Sequence, residues 1–221
     1  YGDCALGLAY VTRPDRSSRI SPSPTRGERT SQKREEEQDI LDEVAWRWGS
    51  RVIHVWDRGF AGAPWLTLAY IHAVRFILRW PKYYQLIDEQ ERQRKAWEIT
   101  RGKRSVDHRL IWDARRRCHR KVGLIFMPVF DKTFREPLTL VVARPGQGRE
   151  PWYLLTNEPV LSPEDGWRIV FAYARRWLVE MSIRLDKCEF AFESPRILSW
   201  ERFFKLLWIA ALAHAFLLSL L

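Results

Sequence analysis

A short apolar strand that ends in an acid constrains the fold of this chain most. Residues 52–56 are β-branched or aromatic and too few for a helix, and they stop at Asp57, Arg58 and Gly59. Residues 64–74 then have helical patterning, and residues 75–80 form a second predicted strand. A strand, a helix and a strand in this order build a sheet covered by helices. The sequence therefore predicts an α/β fold with Asp57 at the carboxyl end of a strand.

The patterning changes twice farther along the chain. Apolar residues recur at helical spacing between residues 31 and 48, whereas residues 95–156 contain short β-like runs separated by charged, Gly or Pro segments. Helical patterning resumes at Ser162, a predicted N-cap followed by Pro163, and is expected to reach about Lys187. We therefore expect three segments, with boundaries at residues 1–94, 95–156 and 157–221.

The last predicted helix carries a mixed polar face. At about 100° per residue, Tyr173, Arg176, Glu180 and Lys187 fall within an arc of about 60°. An apolar stripe occupies the neighbouring arc, so the helix can bury one side and present these four residues on the other. The spacing alone is equally typical of an ordinary surface on which Arg176 and Glu180 form an i, i+4 ion pair.

The charge of the chain favours a polyanionic partner. The sequence has 37 Lys and Arg against 27 Asp and Glu, a net charge of +10, which suits nucleic acid or an anionic membrane surface. The basic run at residues 115–121 is either a solvated face or a phosphate contact. The apolar residues 206–221 fall short of the about 20 needed to span a bilayer, so we expect a buried helix and no membrane partner. The three cysteines lack the spacing of metal or redox sites and are expected to be reduced in the cytoplasm.

Three motifs together resemble one family. Tyr173, Arg176, Glu180 and Lys187 match the signature of the YREK-motif group of bacterial insertion-sequence DDE transposases. Residues 52–60 resemble the family's strand with the second aspartate, and residues 152–160 resemble the strand and turn before its signature helix. The resemblance implies a ribonuclease-H-like mixed sheet flanked by helices. Residues 1–94, without the first strand, and 157–221 would form the catalytic core, and residues 95–156 an inserted β-rich subdomain.

The resemblance also implies a chemistry and its site residues. Asp57 and Glu180 would bind Mg²⁺ or Mn²⁺, because two hard cations held by carboxylates assist phosphodiester hydrolysis and strand transfer. Tyr173, Arg176 and Lys187 would contact DNA phosphates, Arg58 would bind DNA beside Asp57, and Trp152 would stack on a flipped base. The implied partners are double-stranded DNA, at transposon ends and target, and a second copy of the chain in a homodimer. The implied location is the bacterial cytoplasm, at the nucleoid when DNA is bound.

The chain departs from the family at its first aspartate. Residues 5–11 resemble the second strand of the family, so Asp3 is not expected to be the missing ligand, and the first strand is expected upstream. We therefore expect an incomplete enzyme, and the alternative is a catalytically inactive DNA-binding remnant. A third interpretation is a basic protein of the membrane surface. Among single residues, Trp152 is almost equally suited to the core. For Asp57, capping of the turn after its strand is a minor alternative.

Overall fold

The computed structural model describes residues 26–113, 117–133, 135–146, 149–177 and 199–219, together with Arg184 and Cys188. It divides into two compact units, the first ending at Tyr173 and the second beginning at Ala174. The first unit contains a mixed eight-stranded sheet with helices packed against it. The prediction of a mixed sheet flanked by helices in an α/β fold is confirmed.

The elements follow the predicted patterning in most places. The helices are α1 (Arg26–Trp48), α2 (Ala63–Ile71), α3 (Ala96–Thr100), α4 (Pro163–Ala174) and, in the second unit, α5 (Trp200–Ser219). The strands are β1 (Ile53–Trp56), β2 (Arg75–Arg79), β3 (Gln85–Ile87), β4 (Gln93–Lys95), β5 (Asp107–Asp113), β6 (Cys118–Phe130), β7 (Pro137–Arg144) and β8 (Trp152–Thr156). The strand before Asp57 and the helix and strand after it are therefore confirmed.

The sheet joins distant parts of the chain. Its strand order is β1-β2-β8-β7-β6-β3-β4, and β5 pairs with β6. β1 and β2 are parallel, with Ile53 opposite Arg75, and all other pairs are antiparallel. Because β8 pairs with β2, the strands of residues 95–156 extend the same sheet as β1 and β2.

Both faces of the sheet are covered, because successive side chains of a strand point to opposite faces and apolar side chains lie on both. In β2, Phe76 and Leu78 lie in one core cluster with residues of α2 and α3, whereas Ile77 lies in the other with residues of α4. Trp167 of α4 is fully buried in that second cluster. α4 is therefore held against the sheet by its apolar face.

The start of α4 is confirmed, but its end is not. Ser162 Oγ accepts a hydrogen bond from Asp165 N (3.2 Å), and Asp165 Oδ2 accepts one from Ser162 N (3.1 Å), the reciprocal pairing of a capping box. α4 ends at Ala174 with a turn at Arg175, so the predicted helix to about Lys187 is interrupted there. Arg176, Trp177 and Arg184 are again helical, and the remaining residues up to Lys187 lie outside the described residues. Neither Gly nor Pro lies at this break, so no local stop signal marked it.

Three short elements were not predicted from the sequence. β3 and β4 have three residues each and include polar side chains, and α3 has five residues. Asp88 holds the turn between β3 and β4, because its Oδ1 accepts hydrogen bonds from Gln90 N (3.0 Å) and Arg92 N (2.9 Å). Segments this short carry too few residues for a recognisable period.

The C-terminal helix differs from its expected burial. Of the described side chains of α5, Ala210 is buried, but Trp208, Ile209, Leu212 and Phe216 are exposed. The expectation of a buried helix does not hold for these four side chains. None of the helices in the described part of the chain combines the length and apolarity that crossing a membrane requires.

Candidate functional site

One edge of the sheet collects three strand ends. Trp56 is opposite Leu78 in the parallel pair β1 and β2, so the next residues along each strand, Asp57 and Arg79, reach the same edge. The antiparallel strand β8 begins at this edge with Trp152, and Trp80 N donates to Tyr153 O (2.8 Å). Strand register therefore brings Asp57, Arg79 and Trp152 together.

Asp57 presents a carboxylate at this edge. Its side chain is exposed, and its Oδ1 accepts a hydrogen bond from Arg58 N (2.8 Å), which caps the 3-10 turn at residues 58–60. In the part of the chain that the structure describes, no hydrogen-bond donor reaches the second oxygen, Oδ2. Asp57 thus caps a turn with one oxygen and offers the other to a ligand.

Tyr173 connects α4 to this carboxylate. The tyrosine is only 3% exposed, and its hydroxyl donates a long hydrogen bond to Asp57 Oδ1 (3.4 Å). The two residues are 116 positions apart in the sequence. The ring of Tyr173 also meets the half-buried Trp152 edge-on, with centroids 5.3 Å apart. The signature tyrosine therefore reaches the site from inside the core.

Arg79 lies over both aromatic rings. Its guanidinium carbon is 5.6 Å from the ring centroid of Trp152 and 5.9 Å from that of Tyr173. Cations at this distance from an aromatic face are attracted by the ring quadrupole. The two rings therefore orient a permanent cation beside Asp57.

One further carboxylate, that of Glu150, lies close to the cations of the site. Lys82 Nζ contacts Glu150 Oε1 at 2.6 Å and lowers the pKa of Glu150 below its usual range, although desolvation acts in the opposite direction. Arg58 and Arg79 lower this pKa further. Glu150 therefore stays ionised at neutral pH, and Lys82, Arg58 and Arg79 all lie close enough to interact with its negative charge.

Two residues of the matched segment at residues 152–160 support the sheet instead of the site. Asn157 Oδ1 accepts from Phe76 N (2.9 Å), and Asn157 Nδ2 donates to Val74 O (2.9 Å). Glu158 Oε1 accepts from Arg75 Nε (2.7 Å). These contacts fix β8 to the start of β2, at the end of the strands opposite Asp57.

The structure brings together some of the predicted site residues. Asp57, Trp152 and Tyr173 are in contact with one another or with Arg79, and Arg58 follows Asp57 directly. Arg176 belongs to the second unit, and Glu180 and Lys187 lie outside the described residues.

The sequence reasoning missed Arg79. A signal was present, because Arg79 ends the strand that follows Asp57, and parallel neighbours end at a common edge.

Among the described carboxylates of the site, Glu150 is paired with Lys82, and Asp57 has an oxygen left for a metal ion. Within the residues that the structure describes, no three Asp, Glu, His or Cys side chains converge as a metal-binding group. Asp57 Oδ2 is an accessible hard oxygen, which is the donor type that Mg²⁺ and Mn²⁺ prefer. The second predicted ligand, Glu180, is outside the described residues.

Fold and site together define a class of protein. It is a mixed α/β protein in which a strand-end aspartate is surrounded by cations and aromatic rings at one edge of the sheet. No protein-family model matches the chain, and no curated protein matches it either.

Replacing Tyr173 by phenylalanine tests the contact with Asp57. Because the hydrogen bond is long, we expect a loss of less than about 1 kcal/mol in the free energy of unfolding. The DNA cleavage that the resemblance implies should fall by about fivefold or less if the contact acts in catalysis to the same extent, since 1.4 kcal/mol corresponds to a factor of ten. Urea denaturation and cleavage kinetics measure the two effects.

Tyr153→Phe is the matched control, because Tyr153 is a buried tyrosine in the cluster on the other face of the sheet. Cleavage by this variant should equal that of the unmodified protein. A loss in Tyr173→Phe as large as that from removing Asp57 would show that the phenol acts on the substrate directly.

Proposed function

We propose that this chain is part of a DDE transposase that hydrolyses DNA phosphodiesters and transfers strands at transposon ends. The observation that carries the proposal is the contact between Tyr173 and Asp57, residues of two separate motifs that lie 116 positions apart. Both motifs resemble those of the same family, and the hydrogen bond joins their two polar groups. A ribonuclease-H-like catalytic core is part of the proposal, supported by the parallel pair β1 and β2 with Asp57 at its carboxyl end.

The proposed roles follow from the chemistry of each group. Asp57 and Glu180 would hold the divalent cation, and Mg²⁺ or Mn²⁺ would supply activation of the attacking oxygen and stabilisation of the leaving oxygen. Arg58, Arg79, Arg176 and Lys187 bind phosphate oxygens. Arginine suits this role because its planar guanidinium donates two parallel hydrogen bonds to a phosphate. Tyr173 orients Asp57, and double-stranded DNA is the substrate.

Trp152 has a more limited proposed role. Its ring is already in contact with Arg79 and Tyr173. This packing favours a tryptophan that holds Arg79 in place, with stacking on a flipped base as a role for the part of the ring that remains accessible. The intermediate burial of Trp152 is compatible with both roles.

The alternative function is binding of DNA without cleavage. It is favoured by the hydrogen bond from Arg58 N to Asp57 Oδ1, because that contact gives the aspartate a structural task independent of any metal. Arg58, Arg79 and Lys82 would still hold phosphates in such a protein. A homodimer on paired DNA ends and a place at the bacterial nucleoid belong to both versions of the proposal.

A plasmid-nicking assay separates these two functions. Supercoiled plasmid is incubated with the full chain and Mg²⁺, Mn²⁺ or EDTA, while filter binding is measured at several salt concentrations. We expect salt-sensitive binding in all three conditions, because cation contacts to phosphates release counterions, and any nicking should require one of the metals. Salt-sensitive binding without nicking in either metal would favour the inactive remnant, and absence of binding would contradict both.

A further inference from the structure

Parts of β5 and β6 extend from the sheet as a two-stranded ribbon. β6 pairs with β7 from Gly123 onward, whereas residues 118–122 of β6 pair with residues 109–113 of β5. Among the described strands, β6 alone pairs with β5. A two-stranded antiparallel unit is only marginally stable in water, and further strands or a packed helix stabilise it. The residues of this ribbon have no role in the function proposed above.

One face of the ribbon is packed against α4 and the sheet. The Arg109 guanidinium carbon lies 5.3 Å from the ring centroid of Trp167, and Ile111 packs against the core cluster that contains this tryptophan. Asp113 Oδ1 accepts a hydrogen bond from Arg149 Nη2 (2.8 Å). These contacts hold β5 in place, so its outer edge belongs to a strand with a fixed position.

The opposite face of residues 109–113 is apolar and exposed. Leu110 is 71% exposed and Trp112 is 54% exposed. Edge strands are usually protected by a proline, a bulge or a short length, because their unpaired backbone groups can pair with another strand. β5 contains no proline and pairs with β6 over seven consecutive residues without a bulge. By contrast β4, which ends the described strand order, has three residues, Gln93–Lys95, of which two are basic.

Charge distinguishes the ways in which two copies of β5 could pair. A twofold axis perpendicular to the sheet makes the strands antiparallel and keeps equivalent side chains on one face, and three such registers pair at least five residues of this seven-residue strand. Centring on Arg109 opposes two arginines, and centring on Leu110 opposes the aspartates at the two ends of β5. Like charges in directly opposite positions are destabilising. Centring on Ile111 instead opposes Arg109 with Asp113, and Leu110 with Trp112.

We infer that the outer edge of β5 binds a second copy of this chain, with residues 109–113 of the two copies paired antiparallel about Ile111. The two ribbons then form four adjacent strands, and Leu110 of each copy packs against Trp112 of the other. Directly opposed aromatic and aliphatic side chains stabilise antiparallel pairs. A twofold contact of this kind uses the same edge of both copies, so it closes after two chains. The inference does not rest on the proposed function, because it concerns the chain without DNA.

Sedimentation velocity of the full chain at several concentrations tests the inference. The protein is treated with nuclease to remove DNA, and a reductant is present because Cys118 is exposed. We expect a reversible monomer–dimer equilibrium, as is typical of a small interface. Leu110→Glu and Trp112→Lys should each raise the dissociation constant by about tenfold or more, because each places a charge opposite an apolar side chain at two symmetric contacts.

The double variant Leu110→Glu, Trp112→Lys tests the register. In the pairing about Ile111, the introduced carboxylate of one copy faces the introduced ammonium of the other, so the double variant should associate more tightly than either single variant. Position 110 also lies opposite Lys121 of β6, where a glutamate is compatible with the fold of the single chain. Amide hydrogen exchange at residues 109–113 should slow as the dimer forms, because backbone groups at the edge become paired.

Leu212→Glu is the matched control, because Leu212 is an exposed leucine of α5. It should leave the dissociation constant unchanged, and circular dichroism should show that all variants fold. A chain that stays monomeric at every concentration would overturn the inference, and so would a dimer that Leu110→Glu leaves intact. Dissociation by Leu212→Glu in place of Leu110→Glu would assign the self-association to α5. A double variant that associates no more tightly than the single variants would contradict the pairing about Ile111.

Discussion

Replacing Asp57 by asparagine is expected to reduce metal-dependent nicking of plasmid DNA by about 100-fold or more. The amide lacks the negative charge that holds a divalent cation, and the loss of a metal ligand removes several kcal/mol of transition-state stabilisation. The fold should persist, because asparagine Oδ1 can still accept from Arg58 N and cap the turn at residues 58–60. Initial rates of nicking in Mg²⁺ and in Mn²⁺ measure the effect.

Asp39→Asn is the control for this substitution, because Asp39 is an exposed aspartate of α1. It removes the same charge from the chain and should leave nicking unchanged. DNA affinity of the Asp57 variant should not decrease, since the substitution removes a negative charge from a site that binds phosphates. Nicking at an undiminished rate would contradict the assignment of Asp57 as a metal ligand.

Replacing Trp167 by alanine is expected to lower the free energy of unfolding by about 3–5 kcal/mol. The side chain is fully buried between α4 and the sheet, and its ring stacks on Phe171 with centroids 5.7 Å apart. Its Nε1 donates to Asp107 Oδ2 (2.7 Å), and the Arg109 guanidinium lies 5.3 Å from its ring centroid. The variant therefore loses apolar contacts and a link between α4 and β5. Urea denaturation followed by circular dichroism measures the loss.

Trp46→Ala is the control for Trp167→Ala, because Trp46 is 82% exposed on α1. Removing its ring should change the free energy of unfolding by less than about 0.5 kcal/mol. If both tryptophan variants had the same stability as the unmodified protein, the packing of α4 on the sheet would be refuted. Tyr173 would then lose the support that brings it to Asp57.

Those features that depend on one short segment of the chain could be predicted from the sequence. Residues 52–56 have the composition of a strand, and the acid at its end lies where the structure places Asp57. The capping pair of Ser162 and Asp165 marked the first turn of α4 for the same reason. In both cases neighbouring residues interact with one another, so the sequence order already contains the contact.

Other features depend on partners far away in the chain. The end of the second strand indicates the position of Arg79, but nothing in residues 75–80 reveals that Trp152 and Tyr173 contact its guanidinium. The exposure of Tyr83 and Tyr84 was not predictable from their neighbours either, because it depends on which distant segments of the chain leave these side chains uncovered. The strands β3 and β4 are held by pairing with each other and with β6, which no local period records.

The sequence by itself determined most of the longer elements of this protein and the acid at the end of β1, because helical and strand periods and turn signals act between near neighbours. Only the tertiary structure decided which residues meet at the sheet edge. The register of β1 with β2 and of β2 with β8 aligns Asp57, Arg79 and Trp152, and the packing of α4 brings Tyr173 to them across 116 positions. These contacts form only when the whole sheet is assembled, because each strand fixes the position of the next.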